Sequence, residues 1–106
     1  MDINKKALEL ANSIKSSDEF KLMKKSKSQL DKNKNLKRQL DNYIDKKNKL
    51  YSNNRIEDAS SKLAELNKEY QEFFNLPLVS SYMKSTRDFN NLMEKVYKSI
   101  EKELLK

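Results

Sequence analysis

No glycine occurs anywhere in the 106 residues, and proline occurs once, at position 77. Glycine supplies the positive-φ backbone of tight hairpin turns and the bare backbone of phosphate-cradling loops, so both are hard to build from this chain. Helices need only caps and breaks, and they remain. The charged fraction of 37% would also suit disorder, but the apolar residues are periodic and the usual enrichment in glycine and proline is missing. The predicted class is all-α: an elongated antiparallel hairpin or bundle of four to five helices in a single domain over 1–106. A chain this short buries only about 60 to 70 per cent of its unfolded surface, so its stability is expected to be modest or shared with a partner.

Ile3, Ala7, Leu10 and Ile14 recur at helical spacing behind Asp2, which predicts a capped helix over about 3–15. Ser16-Ser17-Asp18-Glu19 reads as a capping box that starts a second helix carrying Phe20, Met23 and Leu30. The apolar line resumes at Leu36 and runs through Leu40, Tyr43, Ile44, Leu50 and Tyr51. Asn33-Lys34-Asn35 falls in the gap, and asparagine caps helices readily, so a kink or restart is expected there, within what is otherwise one bent rod. Ser52-Asn53-Asn54 is the strongest loop signal, with Asn54 and Glu57 as cap and reciprocal partner of a fourth helix. That helix, with Ile56, Ala59, Leu63, Leu66, Tyr70 and Phe73 on one face, is expected to stop near Asn75. Pro77 disfavours a helical Leu76 but suits a first turn, so it opens the last helix.

The last helix, over about 77–104, carries Val79, Tyr82, Thr86, Phe89, Met93, Val96 and Ile100 at alternating spacings of three and four, flanked by Met83, Leu92, Tyr97 and Leu104. At 1.5 Å per residue it spans roughly 42 Å. A compact domain of this size is only about 34 Å across. Part of the row is therefore expected to go uncovered by its own chain, and uncovered rows recruit other chains. Val79, Tyr82, Met83, Phe89, Leu92, Met93, Val96, Tyr97 and Ile100 are the predicted core or oligomer-interface anchors. The same aromatics also read as plain packing around the Pro77 corner, with Tyr70, Phe73 and Phe74.

Nothing resembles a catalytic or metal-ligating constellation. Histidine and cysteine are both absent, which removes the commonest general base, the commonest zinc ligands, disulfides and redox thiols together. Carboxylates at helical spacing, such as Glu65 with Glu69, read as solvated faces. No catalytic residue, cofactor or metal is predicted. No apolar run approaches the roughly 20 residues that span a bilayer, and the start lacks a signal-peptide core, so a cytoplasmic address is expected.

The whole charge excess of +7 sits in the first 54 residues, and the remainder is balanced. Lys21, Lys24, Lys25, Lys27, Lys32, Lys34, Lys37 and Arg38 lead a basic stripe that continues at Lys46, Lys47 and Lys49. It reads first as a solvated lysine-rich face. The alternative is a polyanion site for RNA, a membrane surface or an acidic protein, centred on Lys21, Lys24, Lys25, Lys34, Lys37 and Arg38. Lysine supports only salt-sensitive, sequence-blind binding, because planar bidentate recognition favours arginine.

Three stretches taken together resemble the YlbF/YmcA family of small helical bacterial regulators. They are the opening INKKALELANSIKSSDEF (3–20), the break LDKNKNLKRQLDNY (30–43) and the ending NLPLVSSYMKSTRDFNNLMEKVYKSI (75–100). The ending is the most specific, with the proline corner, Tyr82, Phe89, Leu92-Met93 and Val96 in the family's order. The resemblance implies a non-enzymatic protein that forms homo-oligomers (dimer or tetramer) or hetero-oligomers with related helical chains. It further implies a role in competence, sporulation and biofilm control, in a complex linked to the endoribonuclease that initiates mRNA turnover. Some relatives hold iron-sulfur clusters through cysteines. This chain has none, so that cofactor does not carry over.

Overall fold

Asp2 caps the first helix as expected, its Oδ1 accepting from the amides of Asn4 at 3.0 Å and Lys5 at 3.3 Å. The computed structural model describes residues 2–106. All regular structure among the described residues is helical: α1 (Ile3–Lys15), α2 (Asp18–Asp31), α3 (Lys34–Asn53), α4 (Ile56–Glu69), α5 (Gln71–Phe74) and α6 (Pro77–Leu104). The fold is all-α, with one helix more than the sequence pattern suggests.

The extra helix comes from a break at Tyr70, whose backbone (φ −97°, ψ 9°) interrupts the expected fourth helix. The break serves an aromatic cluster. The Tyr43 ring lies 5.2 Å from Tyr70 and 4.8 Å from Phe74, and Tyr70 also meets Phe73 at 5.9 Å. Rings gain from edge-to-face contact over a narrow distance range, and that tertiary preference overrides a continuous helical pattern.

Two predicted caps move. Between α1 and α2 the capping side chain is Ser17, not Ser16: its Oγ accepts from the Phe20 amide at 3.2 Å and donates to the Ile14 carbonyl at 2.6 Å. Ser16 instead donates its hydroxyl to the Asn12 carbonyl, closing α1. Asn54 does not cap α4; Arg55 stands at that position without a side-chain cap. The Asn54 amide nitrogen donates to the Leu50 carbonyl at 2.9 Å, and its oxygen accepts from Lys62 at 2.7 Å. Asn33 does cap α3, accepting from the Leu36 amide at 3.2 Å, so α2 and α3 are separate helices rather than one bent rod.

The chain divides into two compact units. One comprises residues 2–27 with Ser81–Lys106, and the other Ser28–Ser80. In the second unit α3 and α4 form an antiparallel hairpin: Lys46 reaches Glu69 at 3.8 Å, and Asn54 holds Lys62. Leu30, Leu40, Tyr43, Ala59, Leu66, Phe73 and Val79 are buried, and all seven belong to this unit. In the first unit α2 and α6 meet through Phe20 and Phe89, edge to face at 5.6 Å. Among the described residues of that unit Ser26 and Ser85 are buried, and no hydrophobic side chain is.

Tyr43 donates its hydroxyl to the Asn67 side-chain oxygen. Burial, and to a lesser extent Tyr51, raise its pKa above the ordinary 10.0. Because the folded state disfavours the phenolate, this contribution is complete below pH 10 and is lost as pH rises through the higher folded value. Stability measured by urea unfolding is therefore expected to fall above about pH 10. Tyr43→Phe should be less stable at neutral pH by about 1 kcal/mol, with a smaller alkaline fall. An unchanged alkaline slope in that variant would contradict the assignment.

Candidate protein-interaction surface

Along α6 the predicted anchors form a gradient. Val79 is completely buried, while Tyr82, Met83, Phe89, Leu92, Met93 and Val96 are half-buried. Beyond them the row opens to solvent: Tyr97 is 62% exposed, Ile100 is exposed and Leu104 is 79% exposed. The nine anchors thus span core and surface, and only Tyr97 and Ile100 among them are exposed. Tyr97, Ile100 and Leu104 follow one another at spacings of three and four, which aligns them on one helix face.

Helix α1 adds to the exposed apolar surface. None of its residues is buried, and Ile3, Leu8 and Leu10 are exposed. The spacing of the α1 row predicted the helix but not its exposure, because periodicity reports an apolar face without reporting what covers it. Leu105, also exposed, lay outside the row.

Thr86 sits mid-row with a buried hydroxyl oxygen that has no hydrogen-bond partner. An unpaired buried hydroxyl costs about 1–3 kcal/mol, and valine has nearly the same shape. Thr86→Val is expected to raise the thermal midpoint by several degrees. A lowered midpoint would mean the hydroxyl finds a partner in solution.

The six predicted polyanion contacts fall into two groups. Lys21, Lys24 and Lys25 lie on α2 in the first unit, exposed, with the Lys24 ammonium 6.0 Å from the Phe20 ring centre. Lys34, Lys37 and Arg38 lie on α3 in the second unit, around an open groove of about 450 Å³ that also holds Asp31, Asp41 and Asn42. The acids dilute the positive field there. A second open groove, of about 470 Å³, runs between α3 and α4 with Lys46, Lys49 and Lys62 at its rim beside Glu65 and Glu69, over Leu50 and Leu66. Its cations are already engaged: Lys49 pairs with Asp45 at 3.1 Å, and the pKa of Lys46 is raised first by its interaction with the Tyr70 hydroxyl and then by the charge of Glu69, 3.8 Å away. Among the described residues no group of carboxylates is arranged to hold a metal ion.

A family model described as control of competence regulator ComK, YlbF/YmcA, matches residues 3–104, from the first residue of α1 to the last of α6. The chain belongs to the YlbF/YmcA family. Neither a characterised protein nor a solved structure matched the chain. The family match runs through both compact units, and the predicted proline corner and apolar row of α6 fall inside it. The family's description is regulatory, in the control of competence. No described helix of this YlbF/YmcA chain is long and apolar enough to cross a membrane.

Proposed function

We propose that this chain is a regulatory adaptor without catalytic activity of its own. It works in the cytoplasm by protein-protein contact, within a homo-oligomer or a hetero-oligomer with a related helical chain. The observation that supports this reading is the uneven core: among the described residues, every buried hydrophobic one lies in the Ser28–Ser80 unit, while the unit formed by α1, most of α2 and most of α6 has none. A helical unit of apolar rows without a closed core is completed by another molecule. Family membership supports a role in the control of competence, and the proposal extends that role to sporulation, biofilm formation and mRNA turnover. Without cysteine, any iron-sulfur cluster in such a complex would be held by other subunits.

The test is co-purification of a tagged chain from the cell of origin at low and at high salt. A stoichiometric complex with helical protein partners, retained at both, is expected, because apolar burial drives association and salt screens it little. A chain that purifies alone at both would overturn the reading. The lysine-rich face offers a second outcome, nucleic acid captured at low salt and lost at high salt. The acids interspersed at Asp31 and Asp41 weigh against it.

A further inference from the structure

We infer that the open groove between α3 and the α4–α5 break takes an arginine side chain presented by an extended segment of a partner protein. The inference rests on the adaptor reading and names a chemistry by which such a partner is selected. Charge and shape both point to that side chain.

The groove lies within the Ser28–Ser80 unit and has a volume of about 440 Å³, inside the range of about 300–1,000 Å³ typical of ligand sites. Gln39 and Asn42, one turn apart, line it from α3, and Glu69, Tyr70, Glu72 and Leu76 line it from the end of α4 onward. Its lining carries two carboxylates and no cation. The grooves at Lys34 and at Lys46 are each lined by three cations and two acids. A cationic guest therefore belongs in this groove and not in those. The chain's net charge of +7 repels a segment that is basic throughout, so the arginine is expected to stand among neutral or acidic residues.

The chain itself shows what these groups attract. The Lys46 ammonium lies 5.1 Å from the centre of the Tyr70 ring and 3.8 Å from a Glu69 oxygen. Glu72 is exposed and takes part in none of the ion pairs among the described residues. An incoming guanidinium finds that carboxylate uncommitted, with the amide oxygens of Gln39 and Asn42 as acceptors for its remaining donors. Arginine suits the groove better than lysine, because its planar fork pairs bidentately with a carboxylate and stacks on an aromatic ring. Its methylene stem has Leu76, 40% exposed, to lie against. Salt screens such a contact, so it chooses the partner while apolar burial elsewhere holds it.

Titration of the purified full-length chain with N-acetyl-arginine amide to about 50 mM, followed by amide NMR shifts, tests this, since a single side chain is expected to bind with a Kd of about 1 mM. Saturable shifts are expected at the side-chain amides of Gln39 and Asn42 and at the backbone amides of Tyr70 and Glu72. The citrulline analogue, neutral but of the same shape, should bind at least about tenfold more weakly. Glu72→Gln should weaken arginine binding at least about tenfold, while Glu57→Gln, exposed in the same unit, should leave it unaltered. N-acetyl-lysine amide should bind more weakly than the arginine probe, and so should free arginine, whose α-carboxylate would meet the two glutamates. Absence of saturable shifts, equal binding of the citrulline or lysine analogue, or an unchanged Kd in Glu72→Gln overturns the inference. Free arginine binding as tightly as the capped probe overturns the assignment to a partner's chain. Each of these results leaves the adaptor reading standing if the tagged chain still co-purifies with a helical partner, and a chain that purifies alone overturns that reading whatever the groove binds.

Discussion

Phe89→Asp is expected to unfold the chain or split its oligomer, with a loss of about 3–5 kcal/mol from a domain whose total stability is about 5–15 kcal/mol. Phe89 is half-buried at the centre of the α6 row and packs edge to face on Phe20, 5.6 Å away. The substitution removes a large aromatic contact and leaves a carboxylate against apolar neighbours, which costs more than the lost area alone. Phe89→Leu keeps most of the volume and should cost less than about 1.5 kcal/mol. The comparison separates lost contact from introduced charge. Thermal unfolding would register the Asp variant as a drop of more than about 12 °C. A soluble Asp variant with the wild-type midpoint and mass would show that this residue anchors nothing.

Leu30→Ala is expected to cost about 2–5 kcal/mol by urea unfolding, because a leucine in a closed core leaves a cavity when truncated. Leu30 is 1% exposed, the most deeply buried leucine, at the end of α2 where its carbonyl also accepts the Asn33 amide at 3.0 Å. Leu22, on the same helix but exposed, is the matched control and should lose less than about 0.5 kcal/mol on the same truncation. Equal losses at the two positions would contradict the location of the core. Similarly, Ser85→Leu would test the other unit, where a buried serine leaves no room: about 1–3 kcal/mol is expected from overpacking.

Much of the helical outline was legible before any coordinates, for reasons that can be named residue by residue. Asp2 and Asn33 cap because their short side chains reach amides two or three residues on, a purely local event. Pro77 opens α6 because its ring suits a first turn and its missing amide proton is needed nowhere. The choice of Ser17 over Ser16 was less legible, since adjacent serines offer the same hydroxyl and the local path of the backbone selects one. Asn54 was misread because its side chain is recruited across the hairpin by Lys62, eight residues away. Tyr70 broke its helix for the sake of Tyr43, twenty-seven positions earlier.

The interaction face divides in the same way. Spacing placed Val79, Tyr82, Phe89, Met93, Val96 and Ile100 on one side of α6, and that much is a property of 3.6 residues per turn. Which of them is covered is not. Val79 vanishes into the second unit's core while Ile100 stays in solvent, although both are branched aliphatics on one row.

Helix class, the caps at Asp2 and Asn33, the proline corner and the identity of the apolar row followed from the sequence alone, because each depends on residues within a turn or two of one another. The break at Tyr70, the Lys62 bond to Asn54 and the concentration of buried hydrophobics in one unit were decided only by tertiary structure. Burial depends on which segments, distant in sequence, come to share the same space, and no local pattern carries that information.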